Sequence, residues 1–201
     1  HDALPIWPHI STSGRHFFKT YKKHGVVKVG TNGADELLGY HGSDKLYGMG
    51  GDDVLNGGAG KDILYGGAGK DTFVFDTSVK KGHFDQITDF NSADDTIQVS
   101  LASLKAYKVK VAKEEVYESL EGTKAGKKKG FYSLDKVFEK GKLDKQFFSS
   151  GKAKDSYDFI TYDKKSGFVY LDLDGSGKGK GFAIAKLKPG TSVAADDFLF
   201  I

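Results

Sequence analysis

Residues 30–74 read GTNGADELLGYHGSDKLYGMGGDDVLNGGAGKDILYGGAGKDTFV, a nine-residue motif written five times in succession. Four columns of the motif are constant: glycine stands first and fourth, aspartate stands sixth, and a large apolar residue stands eighth. The first-column glycines are Gly30, Gly39, Gly48, Gly57 and Gly66, and the fourth-column glycines are Gly33, Gly42, Gly51, Gly60 and Gly69. The aspartates are Asp35, Asp44, Asp53, Asp62 and Asp71, and the apolar residues are Leu37, Leu46, Leu55, Leu64 and Phe73. Such regularity indicates a repeated structural unit.

The columns predict a solenoid of short parallel strands. Paired glycines permit a tight turn with left-handed backbone, and the three residues after each aspartate suit a strand whose middle side chain points inward. One turn and one strand make half a coil, so two repeats complete a coil. The apolar column then lines two inner walls of a narrow shared core. We expect Leu37, Leu55 and Phe73 on one wall and Leu46 and Leu64 on the other.

The aspartate column predicts calcium. Repeats two apart place their carboxylates about 4.8 Å apart, where they repel unless a cation lies between them. Calcium accepts six to eight oxygen ligands in irregular geometry, whereas zinc prefers His or Cys and the chain has no Cys. The pairs Asp35–Asp53, Asp44–Asp62 and Asp53–Asp71 predict three main sites, with partial sites at the ends. An acidic, turn-rich loop without metal is the alternative.

The remaining calcium ligands are expected from the turns. Carbonyl oxygens of glycine-rich turns are exposed, and calcium readily binds them. The predicted donors are all ten constant glycines together with Asn32, His41, Gly50, Asp52, Ala59 and Ala68.

These repeats resemble the repeats-in-toxin (RTX) family, the hemolysin-type calcium-binding repeat with consensus G-G-x-G-x-D-x-U-x. Repeats four and five fit it fully, and the second column departs from it at Thr31, Tyr40 and Met49. The interpretation is a mainly β fold: a right-handed parallel β-roll, then a β-rich C-terminal cap with one or two short helices in 101–142. We expect three segments, namely an N-terminal capping segment at 1–29, the roll at 30–75 and the cap at 76–201.

Sequence on both sides of the repeats supports this division. Residues 71–100 resemble the strand-rich cap that follows the repeats in secreted proteases, lipases and epimerases of the family. Apolar residues predict strands there at Phe73, Phe75, Ile87, Phe90, Ile97 and Val99. Asp85, Asp89, Asp94 and Asp95 are candidate further ligands, with solvated turn acids as the alternative. In the capping segment, Phe17, Phe18, Tyr21 and a strand at 26–29 are expected to close the first coil.

The C-terminal half yields local predictions. A hairpin is expected from strands at 159–162 and 168–171, with a returning strand at 182–185. Residues 172–177, D-x-D-G-x-G, are read as a tight turn, with a metal loop as the alternative. Helical spacing runs through Val116 and Leu120. Residues 196–201, DDFLFI, resemble the uncleaved export signal of proteins secreted by a type I system.

Composition excludes several classes. The net charge is +3, yet 29 of the 30 basic residues are Lys, which argues against a dedicated nucleic-acid reader because such proteins favour Arg. No apolar run approaches the roughly 18 residues of a membrane span. The lysines at 127–129 are a solvated surface or a contact for anionic polysaccharide or lipopolysaccharide.

Two functions remain open. The first is a secreted calcium-binding protein of a Gram-negative bacterium, exported by a type I system and folded by extracellular calcium, which acts without catalysis at a surface, in adhesion or in a matrix. The second is the calcium-dependent tail of a larger exported protease, lipase or polysaccharide epimerase. The sequence contains no H-E-x-x-H zinc motif and no G-x-S-x-G elbow. The chain begins with His1 rather than Met, so we expect a processed chain or a fragment. The oligomeric state stays open.

Overall fold

The computed structural model describes residues 24–78, 83–111, 130–154, 157–172 and 181–201, and these residues are mainly β. The strands, in chain order, are β1 Val27–Val29, β2 Glu36–Leu38, β3 His41–Gly42, β4 Lys45–Gly50, β5 Val54–Asn56, β6 Ala59–Gly60, β7 Ile63–Ala68, β8 Thr72–Phe75, β9 Asp85–Ile87, β10 Thr96–Val99, β11 Lys108–Val111, β12 Gly130–Ser133, β13 Gly141–Lys142, β14 Phe148–Ser150, β15 Ile160–Asp163, β16 Phe168–Leu171, β17 Phe182–Lys186 and β18 Phe198–Phe200. The described helical elements are α1 Leu101–Leu104 and 3₁₀ turns at Leu134–Lys136, Lys145–Phe147 and Ala195–Asp197. None of these helices is long and apolar enough to cross a membrane.

Successive repeats alternate between two sheets, in which the strands of the repeats pair in parallel. The eight-stranded sheet has the order β1-β4-β7-β9-β17-β16-β15-β14, and the six-stranded sheet has the order β13-β18-β10-β8-β5-β2. Leu46 pairs with Leu64 in the first sheet. In the second sheet Leu55 pairs with both Leu37 and Phe73. One coil therefore takes eighteen residues, and the predicted assignment of the apolar column to two inner walls is confirmed.

The turns keep one backbone conformation although the second column varies. Gly58 and Gly67 have φ of +80° and +104°, the left-handed region that glycine adopts without cost. Tyr40 and Met49 occupy the equivalent positions at +71° and +82°. A side chain there costs roughly 1–2 kcal/mol, so the stacking of the coils imposes the turn on residues that do not favour it.

The strand stacking continues beyond the fifth repeat. β9 pairs in parallel with β7, and β10 pairs in parallel with β8. β17 then joins β9, and β18 joins β10. Both walls of the roll are therefore extended by strands of the C-terminal half, and the expected strand residues Phe73, Ile87 and Ile97 are fully buried.

The local predictions for the C-terminal half have separate outcomes. β15 and β16 form the predicted hairpin, and β17 is the returning strand beside β16. α1 and the 3₁₀ turn at Leu134–Lys136 are short helices within 101–142. The helical spacing through Val116 and Leu120, the lysines at 127–129, the loop at 173–177 and the aromatic residues of 1–23 lie outside the described residues.

The C-terminal hexapeptide contributes β18 to the six-stranded sheet, between β13 and β10. Phe198 and Phe200 of β18 are buried, and Phe200 stacks on Phe138 with ring centroids 4.5 Å apart. Both carboxylate oxygens of Asp197 accept hydrogen bonds from the Ser92 hydroxyl, at 3.0 and 2.9 Å. The tail is therefore an integral strand of the folded protein.

Candidate metal centre

The aspartates of the sixth column form two rows along the roll, which we call files. One file contains Asp35, Asp53 and Asp71, and the other contains Asp44 and Asp62. The backbone N–H of Asp44 donates to Oδ1 of Asp62 at 2.8 Å. The N–H of Asp35 donates to Oδ1 of Asp53 at 2.8 Å, and the N–H of Asp53 donates to Oδ1 of Asp71 at 3.0 Å. Each bond joins residues eighteen apart, so the structure brings together the three pairs that the spacing predicts.

Both files extend past the repeats. The N–H of Asp62 donates to Oδ1 of Asp85, and the N–H of Asp71 donates to Oδ1 of Asp95, each at 3.0 Å. At the N-terminal end Oδ1 of Asp44 accepts the N–H of Val26 at 2.6 Å. Asp85 and Asp95 are therefore members of the files, although 23 and 24 residues separate them from the preceding members.

The second carboxylate oxygen has no partner in four of these residues. Oδ2 of Asp44, Asp53, Asp62 and Asp71 is buried without any hydrogen bond, and each residue is only 1% exposed. An unpaired buried carboxylate oxygen is costly because it loses its hydration. These four atoms are the strongest indication that a group from outside the polypeptide binds beside them.

The first-column glycines leave the space in which these oxygens converge. A Cβ on Gly48 would lie closer than 3.0 Å both to Oδ2 of Asp53 and to the carbonyl oxygen of Gly66. The same holds at Gly39 for Oδ2 of Asp44 and the carbonyl oxygen of Gly57. The constant glycine is thus required by a close approach of oxygen atoms from two successive coils.

The turns of successive coils also stack in register. His41 pairs with Ala59, and Gly50 pairs with Ala68. The carbonyl of Ala68 accepts the N–H of Gly51 at 2.8 Å, which uses one of its two lone pairs. The predicted turn donors of successive coils therefore stack in register, and their carbonyl groups are candidate neutral oxygens for a cation.

Burial and mutual repulsion disfavour ionised carboxylates in both files. Burial raises the pKa of Asp62 to about 6, and repulsion from Asp44 adds to the rise. Burial likewise raises the pKa of Asp71 to about 6, with repulsion from Asp95 and Asp53. Burial raises the pKa of Asp85 to about 8, and repulsion from Asp62 adds to it. Burial also raises the pKa of Asp53 and of Asp95. A nearby cation opposes both effects, because it favours the ionised carboxylate.

Three predicted acidic ligands have other partners. Asp89 accepts the N–H of Gly66 at 3.0 Å through Oδ1 and the N–H of Gly67 at 2.9 Å through Oδ2. Asp52 is exposed and accepts the N–H of Lys70 at 2.8 Å. Both side chains hold the turn of the fifth repeat. Asp94 is exposed and accepts the side-chain amide of Asn91 at 2.7 Å.

The donor set fits a hard cation. Among the described residues no group of three or more His, Cys, Asp or Glu side chains could hold a metal by itself. A cation at Oδ2 of Asp44, Asp53, Asp62 or Asp71 must therefore complete its shell with carbonyl oxygens of the turns. Calcium accepts such all-oxygen, irregular shells, so the residues present fit calcium.

Sequence reasoning did not distinguish the members of the aspartate column from one another. Oδ2 of Asp35 accepts the N–H and the hydroxyl of Thr31, at 2.6 and 2.8 Å. This carboxylate is therefore satisfied within the chain, unlike the four that follow it. The signal available was Thr31, the one second-column residue of the repeats with a short, aliphatic hydroxyl side chain.

Comparison with known proteins agrees with this reading of the repeats. Residues 29–55 and 39–73 match the family model described as the RTX calcium-binding nonapeptide repeat. No sequence among curated proteins matches the chain.

Two solved structures are similar. The solution structure of the AlgE6R3 subunit from the Azotobacter vinelandii mannuronan C5-epimerase is 24% identical, with a TM-score of 0.46, and the match covers 87% of this chain and 77% of that one. The AlgE6R2 subunit of the same enzyme is 22% identical with a TM-score of 0.42, and the match covers 89% and 94% of the two chains.

Proposed function

Residues 29–73 are RTX calcium-binding nonapeptide repeats, and from this premise we propose that the chain is a secreted protein that folds when it binds extracellular calcium. The observation that carries the proposal is the buried, unpaired Oδ2 atom of Asp44, Asp53, Asp62 and Asp71. Without a cation these atoms oppose folding, and with one they become ligands that only the folded chain assembles.

The energetics suit a switch. Binding to the folded state alone stabilises it by RT ln(1 + [Ca]/Kd), about 1.4 kcal/mol per site at a tenfold excess of calcium. Several coupled sites supply a large fraction of a typical stability of about 5–15 kcal/mol. With affinities in the range of roughly 10⁻⁴–10⁻³ M, as in extracellular modules, the sites are empty in the cytosol and filled outside.

The buried C-terminal strand supports export of an unfolded chain. Phe198 and Phe200 are inaccessible once β18 is in place. If residues 196–201 are the signal for a type I system, as their resemblance implies, the export machinery reads them before folding. Low cytosolic calcium keeps the chain in that readable state, and we propose secretion from a Gram-negative cell on this basis.

The outer face of the eight-stranded sheet supports a role at surfaces or in a matrix. Because Leu46 points inward, its neighbours Lys45 and Tyr47 point outward, and Tyr47 stacks on Tyr65 with ring centroids 4.5 Å apart. Farther along this sheet the Lys186 ammonium lies 5.3 Å from the ring centre of Phe168. Lysines interleaved with aromatic rings suit an anionic polysaccharide, which we propose as the partner.

A calcium-dependent module of a larger exported enzyme is the second candidate. It is favoured by the lack of any recognised catalytic motif in the sequence beside a complete set of calcium-binding repeats. In that case the chain stabilises a catalytic part encoded elsewhere in the same polypeptide. Mass spectrometry of the secreted product, which gives the length of the natural chain, separates the two candidates.

Circular dichroism tests the calcium switch. We expect the strand signal in millimolar calcium to be lost in excess chelator and to return when calcium is restored, with magnesium unable to replace it. Equal strand content in chelator and in calcium would contradict the proposal.

A glycan array tests the partner. Binding to anionic polysaccharides is expected only in calcium, and Lys45→Gln should weaken it while the calcium-induced dichroism stays unchanged. Binding that ignores chelator would count against recognition by the calcium-folded sheet.

A further inference from the structure

We infer that calcium is held by the four interior aspartates, Asp44, Asp53, Asp62 and Asp71, and that Asp35 at the start of the roll binds none. This inference rests on the proposed calcium-dependent folding and goes beyond it, because it says which carboxylates are ligands. The shared aspartate predicts that all five repeats bind calcium alike. We infer instead that the aspartate of the first repeat is hydrogen-bonded within the chain and that those of the other four bind metal.

The first repeat satisfies its own carboxylate. Two donors of Thr31, the backbone N–H at 2.6 Å and the hydroxyl at 2.8 Å, point at Oδ2 of Asp35. Their hydrogens occupy the electron pairs that a cation would need, and their positive ends repel it. The oxygen that is orphaned in the next four repeats is thus saturated here.

The backbone explains why the interior repeats cannot do the same. The described residues with left-handed φ include Tyr40, Met49, Gly58 and Gly67, which hold the second column of repeats two to five, but not Thr31. In these four repeats the second-column N–H makes no hydrogen bond to Oδ2 of the aspartate four residues later. The N–H of Gly67 donates to Asp89 instead. Met49, Gly58 and Gly67 have no hydroxyl group, and Oδ2 of Asp44 accepts none from the exposed Tyr40.

The far end of the same file is closed by an equivalent bond. Oδ2 of Asp95 accepts the N–H of Asn91, four residues earlier, at 2.8 Å. Thr31 stands four residues before Asp35 in the same way. The file that runs through Asp53 and Asp71 therefore begins and ends with carboxylates paired to their own chain, and its two unpaired oxygens lie between them.

The first part of the test counts calcium bound per chain by equilibrium dialysis at saturating calcium, with circular dichroism to verify folding. Asp35→Asn is expected to bind the same number of calcium ions as the unmodified chain. Asp53→Asn, at the neighbouring position of the same file, is expected to bind at least one fewer. Counting differences between variants makes the test independent of sites elsewhere in the chain.

A gain-of-site variant keeps the test decisive if Asp53→Asn fails to fold. Thr31→Gly permits the left-handed turn and removes the hydroxyl, so it is expected to bind one calcium ion more than the unmodified chain. Thr31→Val, which keeps the backbone and loses only the hydroxyl, is expected to bind the unmodified number.

The outcomes separate this inference from the proposed function. Fewer ions on Asp35→Asn, or no extra ion on Thr31→Gly, would overturn the inference while the calcium switch stands. An unmodified chain that binds no calcium at all would instead overturn the proposed function. The expected pattern of unchanged, reduced and increased counts supports both.

Discussion

The N–H of Asp44 and Oδ1 of Asp62 are 2.8 Å apart although eighteen residues separate them in the chain. This bond orients each carboxylate of the file, because one oxygen is held by the coil before it and the other is left facing the first-column glycine of its own repeat. Metal affinity and strand register are thereby coupled. A shift in the register between successive coils would break this hydrogen bond and misplace the carboxylate oxygen that faces the metal site.

Replacement of an interior aspartate should have opposite effects with and without calcium. Asp62→Asn keeps an Oδ1 acceptor for Asp44 but removes a buried charge. We expect the calcium-free chain to gain about 1–3 kcal/mol, because the substitution removes a desolvated charge and its repulsion from Asp44. The calcium midpoint of folding should rise at least tenfold. Calcium titrations followed by circular dichroism measure both effects. Asp52→Asn, at an exposed neighbour, is the control and should change neither.

A methyl group in the glycine column should block the site. Gly48→Ala places its Cβ against Oδ2 of Asp53 and the carbonyl oxygen of Gly66, so we expect it to reduce the number of bound calcium ions and to lower the urea midpoint. Gly33→Ala is the matched control, because its Cβ meets nothing nearer than the Thr31 hydroxyl at 3.7 Å. Equal calcium binding by the two variants would contradict the assigned geometry.

Replacement of a non-glycine residue that has a left-handed backbone by glycine should raise the free energy of unfolding. Met49 is 54% exposed at φ +82°, so Met49→Gly relieves backbone strain while losing little packing. After the entropic cost of glycine, we expect a net gain of about 0.5–1 kcal/mol in urea unfolding. Val54→Gly, at a similarly exposed strand position, should destabilise the protein instead. A loss of stability on Met49→Gly would show that the side chain has a contact of greater value.

The C-terminal strand should be essential for the stability of the folded state. Phe198→Ala removes a fully buried ring from the core and is expected to cost about 3–5 kcal/mol. Ile201→Ala, one residue beyond the strand and 44% exposed, should cost less than about 0.5 kcal/mol. Urea unfolding in calcium measures both. Similar midpoints would exclude a structural role for the tail.

Acid should stabilise the calcium-free fold. The pKa of Asp62 and Asp71 is raised to about 6 and that of Asp85 to about 8, against an ordinary value of 3.8. The folded state therefore binds more protons than the unfolded state between pH 4 and 8, and its stability falls as the pH rises through that window. Metal-depleted protein is expected to show more strand signal in circular dichroism at pH 5 than at pH 8.

Calcium should reverse this dependence, because its ligands must be ionised. In constant calcium the urea midpoint is expected to fall as the pH is lowered through 6, with release of the metal. An identical pH profile with and without calcium would contradict the assignment of the buried carboxylates as ligands.

Some features followed directly from the sequence because they are local and periodic. The Asp-to-apolar spacing within each repeat placed Leu46 and Leu64 on one wall and Leu37 and Leu55 on the other, since side chains alternate along a strand. The hairpin of β15 and β16 was equally evident from two apolar strands around a turn. In each case the relevant interaction lies within a repeat or between neighbouring strands.

Other features depended on contacts that no local pattern encodes. Asp85 and Asp95 join the files after insertions that break the nine-residue period. Their positions beside Asp62 and Asp71 are therefore seen only in the three-dimensional structure. The insertion of β18 beside β10 joins residues about a hundred positions apart. Strand pairing at that separation is selected by the shape of the whole core.

The nine-residue period alone predicts the repeating unit, the division of its apolar column between two walls and the chemistry of the expected cation, because it repeats the same local geometry five times. Which carboxylate oxygens lack a partner follows instead from the folded arrangement of the coils. That property depends on the hydrogen-bond donors that other turns and coils bring to each oxygen. Thr31 brings two to Asp35, whereas no residue that the structure describes brings any to Oδ2 of Asp44.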